Sequence, residues 1–256
     1  MNVQTIYDLI HTVAPFDTQM EGDNSGLLVG SPSQEVSCIL FALDVTQPVI
    51  DEAAAIGAQL IVTHHPLMFD AFRTLTDETY EGRLIRRLVS ENISLISAHT
   101  NLDQAAGGIN DTLAAFCGLV EVSGEGFFRS GFLPQPMTVR AFADLLEENL
   151  ETTVRIMAPE DRIIRRIGLC SGAGGSEWPR AVEAGCDAFV SGEIKHHFAL
   201  AMADAGIAAL ECGHFATEEP GLAALAEALQ NSLRHVECNL RVFVSAVPAY
   251  SIPGNP

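Results

Sequence analysis

"VIDEAAAIGAQLIVTHH", residues 49–65, decides the fold. An alanine-rich helical run reaches Ile56, Gly57 follows, and a short apolar run ends in two imidazoles. Glycine suits the left-handed turn that closes a helix. A short run of Leu, Ile and Val is the mark of a strand covered on both faces. The same order returns in "PRAVEAGCDAFVSGE" (179–193) and in "HFALAMADAGIAALECGH" (197–214), with Gly185 and Gly206 at the turns. Each strand delivers polar residues as it ends: His64 and His65, Glu193, and His214. A fourth strand in "ISLISAHTNLD" (93–103) follows the helical "YEGRLIRRLVSEN" (80–92) and delivers His99 and Asp103. "EVSCILFALDVT" (35–46) adds a strand ending at Asp44. Helix alternates with strand, so the fold class is α/β, with largely parallel sheets covered by helices. Ligands bind such sheets beyond the carboxyl ends of their strands, where these polar residues gather.

Composition narrows the partners. The chain has 256 residues, 48% hydrophobic and 18% charged, which suits a folded protein with a substantial core. Its 14 Lys and Arg against 33 Asp and Glu give a net charge of −19. Such a surface repels phosphate backbones, so general nucleic-acid binding is not expected. A local pocket can still take a small anion, above all beside metal ions. The start "MNVQTIYDLIHTVAPF" lacks a basic segment followed by an apolar run, so no signal peptide is read there. No stretch approaches the ~18 apolar residues of a membrane span. The six cysteines sit singly, without a C-x-x-C pair. They read as reduced, buried thiols of a cytoplasmic protein.

"SGEGFFRSGFLPQPMT" (123–138), rich in Gly, Pro and aromatic residues, reads as a link between two halves, 1–125 and 126–256. A helix is expected to begin at Thr138. "RIIRRIGLCSGAGGS" (162–176) reads as a strand and a glycine-rich turn without the spacing of a phosphate loop. The first half carries His64, His65 and Asp103, and the second carries His214 and Glu218.

Taken alone, each of these residues has an ordinary explanation. The histidine pair could be polar residues at a loop mouth, and Asp103 a turn residue. Glu218 and Glu219 could complement a helix dipole, with Thr217 as the N-cap and Pro220 in the first turn. Together, three imidazoles and two carboxylates at the ends of separate strands suit Zn, Mn, Fe or Co. Five protein ligands suit two ions roughly 3.5–4 Å apart rather than one. Lys195, His196 and His197 follow a strand end on the same edge. There they could hold an anionic substrate or move protons, or simply begin a helix. His11 and His235 read as surface residues.

The blocks "DNSGLLVG", "LDVT", "IVTHHPL", "SAHTNLD", "SGEIKHH" and "GHFATE" occur in the order of the Nif-three-like family, which the chain resembles over nearly its whole length. That family is also called GTP cyclohydrolase I type 2 homolog, or dinuclear metal centre protein. The resemblance implies two α/β subdomains around a dimetal cleft and a homo-hexamer. It places the metal ligands on His64, His65, Asp103, His214 and Glu218, with Glu218 as the bridge between two divalent ions. It also implies a hydrolase, with ring opening of GTP as the named activity. His99 and His197 are then the candidate acid–base residues, and Glu193 and Lys195 the candidate substrate contacts. The alternative is a non-catalytic metal carrier or interaction scaffold.

Overall fold

The computed structural model describes residues 1–71, 73–233, 239–248 and 250. His235 and Cys238 lie outside the described residues. The chain forms two compact units. The first comprises Met1–Ala105 together with the described residues from Leu222 onward, and the second Ala106–Gly221. The boundary expected after residue 125 therefore falls elsewhere, and the chain returns to its first unit at the end. A strand near the carboxyl terminus pairs with the first unit's sheet, which draws that segment back.

In the first unit the elements are α1 (Val3–Val13), β1 (Gly26–Val29), β2 (Cys38–Ala42), α2 (Gln47–Ile56), β3 (Leu60–Thr63), α3 (Tyr80–Ser90), β4 (Ser94–Ser97) and α4 (Thr100–Gln104). The returning strand β11 (Arg241–Val244) completes a sheet of order β1-β4-β3-β2-β11. All its pairings are parallel except β1 with β4. Gly57 ends α2 in the left-handed region at φ 68°, as its sequence position requires. Leu40, Ile61 and Leu95 on one face of the sheet join Val49, Ile50 and Ala53 of α2 and Leu84, Ile85 and Leu88 of α3 in one apolar core.

The second unit contains α5 (Ile109–Phe116), β5 (Val120–Ser123), β6 (Arg129–Thr138), α6 (Val139–Asn149), β7 (Arg155–Met157), β8 (Ile163–Cys170), α7 (Trp178–Glu183), β9 (Ala188–Ser191), α8 (His196–Asp204) and β10 (Ala208–Glu211). Its sheet has the order β5-β6-β8-β9-β10-β7. Here β8, β9 and β10 run parallel, while β5, β6 and β7 pair antiparallel, so this sheet is mixed. Alternation along the strands supplies two cores. Ala188 and Val190 face α5 and α6 residues such as Leu113 and Phe142, while Phe189 faces Ala181 and Met202 of α7 and α8.

Two further expectations are corrected. The proline-rich stretch taken for a link is largely β6, a strand of the second sheet. Pro134 and Pro136 lie where its register with β8 shifts, between Phe132 and Met137, so their missing N–H groups cost no ladder bond. Thr138 caps α6, as expected, by accepting from the Ala141 N–H. The second correction concerns α9 (His214–Leu233), which begins at His214 and holds Pro220 in its interior. Thr217 is therefore not the N-cap. Its hydroxyl donates back to the carbonyls of Gly213 and His214 from inside the helix.

No helix of the described residues is long and apolar enough to cross a membrane. Cys38, Cys117, Cys186 and Cys212 are buried free thiols, and Cys170 is buried as well. Cys212 lies in the apolar core, where burial pushes its thiol up to about 12.

Candidate metal centre

In the first unit, β3 and β4 end side by side. Thr63 and Ser97 join their ends through a hydroxyl pair 2.8 Å apart, and the Thr63 hydroxyl donates to the His65 carbonyl at 2.9 Å. The chain leaves these strands as His64–His65 and Ala98–His99. The three rings gather closely, with centroids 5.0 Å apart for His64–His65, 5.1 Å for His64–His99 and 5.7 Å for His65–His99. One ring nitrogen from each lies within 4.8 Å of the others. Asp103, on the last turn of α4, brings Oδ1 to 3.5 Å from His64 Nε2.

Each ring is held by its other nitrogen. His64 Nδ1 donates to the Ala98 carbonyl at 2.8 Å. A carbonyl only accepts, so Nδ1 carries the proton and the neutral ring keeps its lone pair at Nε2. His65 Nδ1 bonds Asp44 Oδ1 at 2.8 Å, and His99 Nδ1 bonds Asp23 Oδ1 at 2.7 Å. Oxygen partners of this kind fix tautomer and orientation in metal-ligating imidazoles.

Asp23 is itself enclosed, its side chain 3% exposed. It accepts from the Thr100 N–H and hydroxyl, the Asn24 N–H and the Ser25 hydroxyl as well as from His99. Burial alone raises its pKa, but the hydrogen bonds from His99 and Thr100, with the His99 charge, outweigh burial. The carboxyl is held far below the ordinary carboxylate range. Asn24 Nδ2 donates to the Met68 carbonyl at 2.6 Å and pins the segment after β3. Beyond that bond, Phe69 sets its ring edge-on to His99, with centroids 6.2 Å apart.

In the second unit the corrected helix start defines the geometry. His214 opens α9 and Glu218 is four residues on, so both lie on one helix face. His214 Nε2 is 3.0 Å from Glu218 Oε2, and Glu218 is 5% exposed. His214 Nδ1 bonds Glu193 Oε1 at 2.7 Å. Glu193, expected to contact substrate, thus also orients His214. The glycine-rich turn packs against this pair. Gly172, at φ 53°, donates its N–H to the Thr217 hydroxyl at 3.0 Å. A Cβ on Gly172 would stand 1.9 Å from Glu218 Oε1 and 3.1 Å from His214 Nε2.

Lys195 is the N-cap residue of α8, without a side-chain cap bond, and it is exposed along with His196 and His197. The His197 ring packs on its neighbour Phe198, with centroids 4.2 Å apart. Among the described residues, His64, His65 and His99 of the first unit form one metal-competent group, and His197 joins none. Asp23, Asp44 and Gly172 escaped assignment from sequence. Asp23 lay in the quoted "DNSG" block and Asp44 at a strand end, but their histidine partners are 76 and 21 residues away.

Imidazoles with fixed tautomers beside carboxylates, with no thiol among them, form the donor set of a protein that could hold a divalent transition metal. The chain belongs to the Duf34/NIF3 (NGG1p interacting factor 3) family, whose sequence profile matches residues 1–249. Among its relatives is the GTP cyclohydrolase 1 type 2 homolog of Clostridium perfringens, 35% identical over 243 residues, covering 91% of this chain and 93% of that one. The homolog of Clostridium acetobutylicum is 31% identical, covering 96% of each. Similar solved structures include a Staphylococcus aureus protein, with TM-score 0.93, 27% identity and 98% of both chains covered. Reduced HcgD from Methanocaldococcus jannaschii superposes with TM-score 0.83 and 28% identity, covering 96% of this chain and 98% of that one.

Proposed function

We propose that the chain is a dinuclear-metal-dependent hydrolase whose ions are held by His64, His65 and Asp103 of the first unit and His214 and Glu218 of the second. The observation that carries this reading is the treatment of the imidazoles. All three histidine ligands have Nδ1 tied to an oxygen, which leaves Nε2 as the donor atom. Histidines that served only as polar surface groups would have no need of so uniform an arrangement.

When bound, a pair of divalent ions supplies water activation, drawing the pKa of water towards neutrality. The chain's own residues do the rest. Ala98, Asp44 and Glu193 orient the three imidazoles. His99, held by the anionic Asp23, takes up or gives back a proton at Nε2. Phe69 presents an apolar ring beside His99. Lys195 attracts an anionic substrate in a chain otherwise short of positive charge. Ring opening of a nucleotide such as GTP is one hydrolysis within this class, in keeping with the names of the relatives. By likeness to the family, the reading extends to a homo-hexamer in the cytoplasm.

The experiment is elemental analysis of metal-reconstituted protein joined to an activity screen over nucleotides, phosphoesters and peptides, with Glu218→Ala as control. About two ions per chain and turnover lost in Glu218→Ala are expected. Less than one ion per chain after reconstitution would sink the dinuclear reading. Two ions without turnover on any substrate would favour the second reading, a metal carrier or scaffold. The exposure of Lys195 and His197, with His197 in none of the metal-competent groups, is what keeps that reading in play.

A further inference from the structure

Beside the imidazole cluster the first unit holds a cavity of about 300 Å³. That is the lower end of the range for small-molecule sites. Its place in the fold is informative. From β2 the chain proceeds to β3 and β4 on one side, while β11 lies on the other side of β2. Ligands of open α/β sheets bind outside the carboxyl ends of the strands at such a reversal. Asp44 follows β2, His65 and Leu67 follow β3, and Tyr250 comes after β11, and all four line the cavity. His65 belongs to both the cavity and the imidazole cluster, so a molecule lodged here abuts the candidate metal centre.

The lining determines what would fit. Pro66, Leu67 and the Tyr80 ring give it apolar walls, and Asp44 and Glu81 supply carboxylates. Among the described residues, neither Lys nor Arg lines it. Asp44 spends Oδ1 on His65 and is still 44% exposed at its side chain. The N-termini of α2 and α3 also open nearby, but each is capped within its own first turn. Thr46 accepts from the Val49 N–H and Thr79 from the Gly82 N–H. The two carboxylates therefore set the sign of the cavity. Tyr80 responds to that sign: burial first, then the charges of Asp44 and Glu81, raise its phenol above the ordinary value, outweighing the lowering effect of the Arg83 charge.

We propose that this cavity is a subsite for an uncharged or cationic planar group carrying N–H donors, such as an amidine, a guanidine or an amino-substituted heterocycle. It rests on the metal-site reading above only in that the bound group would be presented to ions held at His65. A phosphate would face two carboxylates, with no Lys or Arg among the described lining residues to offset them. Any anionic part of a substrate must therefore lie outside this cavity, and the part within it is the donor-rich ring.

Benzamidine and benzoate test this, being a planar cation and a planar anion of nearly one shape. Titration calorimetry on metal-loaded and on chelator-stripped protein should show benzamidine binding about tenfold or more tightly than benzoate, the worth of a charge-assisted hydrogen bond. Glu81→Gln should remove most of that preference, and Leu67→Trp should block both ligands by filling the cavity. Equal binding of the two probes, no binding of benzamidine, or a preference untouched by Glu81→Gln would overturn the subsite. Elemental analysis of the same samples separates the two ideas. A Glu81-dependent preference in protein that takes up no metal supports the subsite and removes the dinuclear reading alone. Two ions per chain with no preference removes the subsite alone.

Discussion

Asp44 and Glu193 each hold one proposed ligand imidazole by Nδ1, at 2.8 and 2.7 Å. Removing either leaves the Nε2 donor in place but frees the ring to turn and lowers its basicity. Asp44→Ala and Glu193→Ala should therefore weaken metal binding by roughly 10–100-fold without abolishing it. Glu218→Ala, which removes a ligand, should lose more. Competition with a chelating dye checks the order, and equal losses in all three would contradict the assigned roles. Asp23 makes a separate prediction through pH. Its folded-state pKa is depressed, so the stability it contributes is fully present above the ordinary carboxylate range. That contribution is lost as pH falls below that range towards the folded value. In chelator-stripped protein, Asp23→Asn should be less stable than the parent near neutral pH, and the gap should narrow as the solution is acidified. Urea unfolding at a series of pH values measures it, and a gap that widens on acidification would refute the assignment.

At the scale of elements, Gly172 and Gly57 make a controlled pair. Both have positive φ, 53° and 68°. Beside Gly57 nothing would meet a Cβ within 4 Å, whereas beside Gly172 it would meet Glu218 Oε1 at 1.9 Å. Gly57→Ala should cost only left-handed strain, about 1–2 kcal/mol, and leave metal content unchanged. Gly172→Ala carries the same strain and must also displace Glu218, so it should lower metal affinity as well. Thermal melts and elemental analysis on both variants decide it; equal metal content would mean that the turn does not support Glu218. Elements also show what could be read beforehand. The turns at Gly57, Gly185 and Gly206 and the cap at Thr138 were legible because each depends on residues within a few positions of itself. The start of α9 was not. Pro220 suggests a first turn, yet α9 begins six residues earlier and carries the proline inside. β6 was hidden for a related reason: its two prolines argue against a strand, and only the register shift against β8 explains how they are accommodated.

For the whole molecule, the division into units was the least legible feature, because the pairing of β11 with β2 joins residues about 200 positions apart. The candidate ligand residues could be picked out, since alternating helices and strands bring strand ends to one edge of each sheet whatever the boundary. The groups orienting them were not, because nothing local marks Asp23 as the partner of His99. This contrast leads to a prediction about cooperativity. If ions take ligands from both units, as proposed, then metal binds only when both are folded, and its binding free energy couples them. Saturating metal at 100 times its dissociation constant would add about 2.7 kcal/mol to the stability of the joint folded state. Calorimetric unfolding of the metal-loaded protein should then give one transition at a raised temperature. Chelation should lower that temperature and broaden or split the transition, as each unit becomes free to melt at its own temperature. Glu218→Ala should resemble the chelated protein with or without added metal. The Lys195→Ala variant should behave as the parent does, since its ammonium group is not a ligand at neutral pH. A transition unchanged by chelation, in protein shown to have carried two ions, would mean that the ions sit within a single unit.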